Sequence, residues 1–161
     1  MRVLVYKMTH DGDPDANGCF GAQDCMGRIR KRDFDAVIGI GGMGREAQSY
    51  GFAGKIIWVG IGPHKTAMHG MRGPSVRFQH LVDFGNDGLK FRQVAPKLGK
   101  HLCSSRMRHL MLNSLSEEHR EIIGVLALAQ NAPPSPGLSA KQTGIRPLRR
   151  CRPTCRKKKH C

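Results

Sequence analysis

Acidic residues are scarce in this chain: Asp and Glu number 12 against 27 Lys and Arg in 161 residues, a formal charge of +15. Long apolar runs are absent too, and none approaches the roughly 18 residues that a membrane-spanning helix needs. The opening residues, MRVLVYKMTHD, turn polar after the fifth and show no signal-peptide core. A soluble cytoplasmic protein with no membrane partner is therefore expected. No internal repeat occurs, which excludes a solenoid or a collagen-like chain. The hydrophobic fraction of 39%, with 20 glycines besides, is ordinary for a globular protein and excludes a wholly disordered one. The length suits one domain.

What is present is unevenly placed. Residues 138–161 hold nine basic residues and no acid, while residues 1–137 hold 18 basic and 12 acidic residues, a net of +6. More than half of the excess charge thus sits in a tail with little to bury. A domain over residues 1–132 followed by a disordered basic tail over 133–161 is the expected organisation. The tail reads Cys151-x3-Cys155-x4-His160-Cys161, four potential zinc ligands. Their last two members are adjacent, unlike the spaced pairs of small zinc sites, so no metal is assigned and a solvated basic segment is expected. With no export signal, reduced thiols are the default.

Hydrophobic patterning predicts strands at residues 1–6, 35–40 (DAVIGI), 55–61 (KIIWVGI) and 75–84 (SVRFQHLVDF). Short helices or turns are expected at 23–32 and 45–49, and loops between the strands, including one after Pro63. Leu98, Leu102, Met107 and Leu110 recur at roughly helical spacing. A last helix should start near Ser114, whose Ser114-Leu115-Ser116-Glu117 order fits a capping box, and bury Ile122, Ile123, Leu126 and Ala129. It should end at Asn131, before Pro133 and Pro134. Strands first and helices after predict an α+β fold: a small, curved, mostly antiparallel sheet or barrel with two C-terminal helices.

Several motifs invite a chemical reading. Gly39-Ile40-Gly41-Gly42-Met43-Gly44 matches G-x-G-x-x-G directly after a strand, the arrangement that lets backbone approach a pyrophosphate. The acid expected some 20 residues on is missing, as is a long following helix, so tight turns within a small sheet compete with a cofactor loop. Asp11, Asp13 and Asp15 open like a calcium loop, but Ala16 and Ala22 stand where that loop needs Gly and Glu. Tyr6-Lys7-Met8-Thr9-His10-Asp11 brings together a ring for stacking, a phosphate partner and a proton-transfer pair. Arg28, Arg30, Lys31 and Arg32 form a basic run, which also reads as a solvated face. Trp58, the sole tryptophan, suits a core role or a stacking role equally. Cys25 is a nucleophile candidate only if a histidine such as His10 or His64 approaches it.

Residues 6–42 carry a resemblance. YKMTHD, then Asn17-Gly18, then Cys25 with Ile29 and Arg30, then Asp35 with Ile38 and Gly39, resemble the nucleotide modification associated domain family of small bacterial and phage proteins. Ala36 replaces an aromatic usual there, and Met26-Gly27 replaces Lys-Pro. Asp35 to Gly39 followed by GKIIWVG is also similar to small barrels of the pseudouridine-synthase-associated kind. The resemblance implies a protein that binds a nucleotide or modified base, free or in nucleic acid, in a DNA-modification or defence pathway. On that expectation His10 and Asp11 are catalytic or base-contacting, and Tyr6, Lys7, Thr9, Arg28, Arg30, Gly39, Gly41 and Trp58 bind nucleotide. No cofactor is specified. Two alternatives accompany it: an α/β enzyme holding a nucleotide cofactor at residues 39–44, and an accessory protein binding nucleic acid non-specifically through its tail. The leading expectation requires the end of the first strand and the arginine-bearing turn to meet across one concave wall.

Overall fold

The computed structural model describes residues 1–8, 18–21, 26–66, 74–104 and 108–134. Six strands form one curled, half-barrel sheet: β1 (Val3–Met8), β2 (Cys19–Phe20), β3 (Ala36–Gly41), β4 (Ile56–Thr66), β5 (Ser75–Asp83) and β6 (His109–Leu112). Their order is β2-β5-β4-β3-β1-β6. Four of the five pairings are antiparallel, and β1 with β3 is parallel. The helices are α1 (Met26–Lys31), α2 (Arg45–Ser49), α3 (Phe91–Val94), α4 (Pro96–Ser104) and α5 (Arg120–Asn131). The expected small α+β fold is the one that forms.

β1 and β3 are buried along their whole length, which explains why each reads as a continuous apolar run rather than an alternation. Successive side chains still point to opposite faces. Val3 and Val5 join Ile38, Ile40, Phe91, Leu102, Ile122 and Leu126 in one core layer beneath α3, α4 and α5. Leu4, Tyr6 and Met8 join Ile29 of α1 and Ala47 of α2 in the layer on the other face. Helices therefore cover both faces, and not only as a C-terminal pair.

Three local expectations change. Leu110 lies not on a helix but in β6, opposite Val5. Pairing with the buried first strand decides that conformation over helical spacing. β4 runs on through Pro63 to Thr66, held in register by Pro63 opposite Phe78 and His64 opposite Arg77, where a loop was expected. The capping box before α5 is formed by Ser116 and His119, with Ser116 Oγ 3.1 Å from His119 Nδ1, because a 3-10 turn (Glu117–His119) precedes the helix. α5 buries Ile122, Val125, Leu126 and Ala129, whereas Ile123, about 100° round the helix from Ile122, points outward. The expected end at Asn131 holds.

Candidate functional site

The end of β1 is interior. The Tyr6 ring meets Phe20 edge-on at 5.1 Å, Phe20 lies 5.5 Å from Trp58, and Trp58 lies 5.7 Å from Phe78. Trp58 is wholly buried, and its indole N–H donates to Met8 Sδ at 3.2 Å. Neither Tyr6 nor Trp58 presents a face to a base in this packing, so the stacking role expected of them is replaced by a core role. Lys7 points to the opposite face, as its neighbour in a strand must. Its buried ammonium donates to the carbonyl of Leu102 at 3.0 Å, in the last turn of α4. A cation there meets the negative end of the helix. Thr9, His10 and Asp11 lie outside the described residues, as do Cys25 and the tail.

Gly39, Gly41 and Gly42 serve packing, whereas Gly44 stands in open space. A Cβ on Gly39 would overlap the Trp58 indole, and one on Gly41 would overlap the carbonyl of Phe52. The Gly41 N–H donates to Lys55 O at 2.8 Å and the Gly42 N–H to Met8 O at 2.8 Å. Those two amides are already used, so the cradle expected for a pyrophosphate loses its central donors. Close approach of side chain and backbone, not a ligand, accounts for the glycines at 39 and 41.

The arginine-bearing turn is built differently. In α1 Ile29 is driven into the core, which leaves Arg30 and Lys31 exposed and Arg28 half-buried. Just past the helix Arg32 adopts φ 52°, the left-handed conformation usually filled by glycine. The Asp33 N–H then returns to the Arg28 carbonyl at 3.4 Å, and the Arg28 guanidinium bonds the Asp33 carboxylate at 3.2 Å. Asp35 is tied down as well: its carboxylate accepts from the Arg2 N–H at 2.6 Å and lies 3.7 Å from the Arg2 guanidinium. Both acids of this corner are thereby ion-paired, Asp33 through Oδ2 alone, its buried Oδ1 having no hydrogen-bond partner among the described residues. Arg30, Lys31 and Arg32 make no ion pair among the described residues. Lys31, Arg32, Phe34, Asp35, Gly62 and Pro63 line a shallow, open cleft of about 340 Å³.

This corner and the end of β1 do not share a wall. Arg2 and Asp35 bond at the start of the parallel pair, where the Asp35 N–H donates to Arg2 O at 2.8 Å, while Met8 lies opposite Gly41 at its end. The strand rise places those two ends roughly 17 Å apart. Parallel pairing is the cause, since the connection must cross the sheet to start the second strand beside the start of the first. The single concave site expected from the sequence is replaced by a basic corner at one end and a packed interior at the other.

Of the expected binding residues, the structure therefore keeps Arg28 and Arg30 on an accessible surface and buries Tyr6, Lys7 and Trp58. Lys31 and Arg32 belonged to the basic run but were not singled out, and Gly62 and Pro63 meet them only through the fold. A helix followed directly by Arg-Asp, with no glycine to end it, was the local sign of a strained turn. No group of three or more metal-ligating side chains occurs among the described residues. No helix among them is long and apolar enough to cross a membrane. No family model, curated protein or solved structure matches the chain.

Proposed function

We propose that the protein binds nucleic acid through its phosphates, with the corner formed by α1 and the cleft beside it as the ordered part of the contact. The observation that carries this reading is the trio Arg30, Lys31 and Arg32, adjacent in sequence and without acidic partners among the described residues. Lys31 and Arg32 flank an open cleft wide enough for a phosphate group. Guanidinium groups offer paired N–H donors that match phosphate oxygens. The nine cations of residues 138–161 add a sequence-independent attraction. Base recognition by Tyr6 and Trp58 is not part of this reading, because both rings are enclosed.

The test is binding of a fluorescent 20-base-pair DNA to the full-length protein and to its Arg30→Glu/Lys31→Glu/Arg32→Glu variant at two salt concentrations. Affinity for the variant should fall about tenfold or more, and the slope of log K against log salt should flatten by about 2 to 3 for some three lost phosphate contacts. Equal affinity and equal slope for both proteins would remove α1 from the interface and leave the tail alone.

A further inference from the structure

The chain has nine aromatic side chains, and all nine are among the described residues. Seven are buried: Tyr6, Phe20, Phe34, Phe52, Trp58, Phe78 and Phe91. The remaining two, Tyr50 and Phe84, are partly buried. Tyr50 lies flat against Phe52, centroids 5.7 Å apart and planes 6° from parallel. Phe84 borders a narrow apolar hollow with Ile56, Leu89, Val125 and Leu128. Neither ring is at the α1 corner, where the only aromatic lining the cleft is Phe34, 1% exposed.

Proteins that hold single strands combine a basic track with exposed rings on which unpaired bases stack, each worth about 1–3 kcal/mol. Here no Phe, Tyr or Trp ring is exposed beside the basic corner. Charge alone favours the denser lattice of phosphates: one charge per roughly 1.7 Å of duplex axis against about 3.4 Å along one strand. Counterion release is also larger per contact on duplex, about 0.9 against about 0.7. A phosphate array already held in fixed geometry costs less to bind than a flexible strand, which must be ordered on binding.

We infer that the ligand of the α1 corner is double-stranded nucleic acid, recognised by its backbone, and that single strands are poor ligands. This rests on the phosphate-binding reading above and narrows it. The test uses the full-length protein and a single 20-residue DNA sequence, presented as labelled single strand and as labelled duplex at one salt concentration. Duplex should bind at least about fivefold more tightly, and Tyr50→Ala should leave both affinities within twofold of wild type. Single strand binding as tightly as duplex, or a Tyr50→Ala protein that loses single-strand affinity alone, overturns the inference while the phosphate-binding reading stands. Binding of neither form overturns both.

Discussion

Arg32 holds a conformation that its side chain disfavours, and the strain is local to the proposed interface. A left-handed non-glycine residue costs about 1–2 kcal/mol, part of which glycine would lose again through its freer unfolded chain. Arg32→Gly should therefore raise stability by up to about 1 kcal/mol while weakening DNA binding, and Arg32→Ala should weaken binding with no gain in stability. Urea unfolding beside a binding titration separates the two effects. If Arg32→Gly neither stabilises nor weakens binding, Arg32 has no part in either.

Asp83 supplies a second residue-scale expectation. Burial pushes its carboxyl above the usual value of 3.8, opposed by the bond its Oδ1 accepts from the Gly85 N–H at 2.8 Å. The native state thus binds the proton more tightly than the unfolded chain. The associated stability is fully present below pH 3.8 and is lost as pH rises through the higher folded value. Asp83→Asn, which keeps the acceptor, should be more stable than wild type at neutral pH, with the difference vanishing toward pH 3. Thermal unfolding of both proteins across that range checks the sign, and an advantage that persists in acid would contradict it.

At the scale of elements, Lys7 joins the first strand to α4. Lys7→Met keeps the length of the side chain but strips a partner from the Leu102 carbonyl, a loss of about 1–3 kcal/mol when the acceptor is buried. Denaturant unfolding should show that loss, while DNA affinity stays within twofold of wild type. A weakened affinity in protein that remains folded would return Lys7 to the ligand. Trp58→Ala should cost about 3–5 kcal/mol by opening a cavity between β4 and the rings of Phe20 and Phe78. Gly39→Ala fails for the opposite reason, since its methyl would enter the space of the indole.

These same elements show what could be read in advance. β1 and β3 were visible because both faces are covered, and α2 and the end of α5 because short polar breaks frame them. β6 was hidden: His-Leu-Met-Leu is too short to reveal a period, and its partner lies about a hundred residues earlier. The site divided in a similar way. Arg28 and Arg30 stood out as a run of charge, which is a local property. The burial of Tyr6 and Trp58 and the approach of Pro63 to Arg32 depend on how distant strands pair. A ring at a strand end beside polar residues looks the same in sequence whether it faces a ligand or a second ring.

For the whole molecule, a two-faced sheet, apolar in its two core layers and with the Lys7 ammonium tied to α4, carries its exposed trio of cations at one corner. That corner is not the full source of positive charge, because residues 138–161 carry nine of the 27 cations. Its contribution is position, with Arg30, Lys31 and Arg32 held at the end of α1 beside the cleft. Amide chemical shifts of the full-length protein during titration with a 20-base-pair duplex test this most directly. The account predicts that the largest changes fall on residues 28–35 and 61–64, together with the tail, while the amides of Trp58 and Gly39 hardly move. Changes confined to the tail, or centred on residues 39–45, would contradict it.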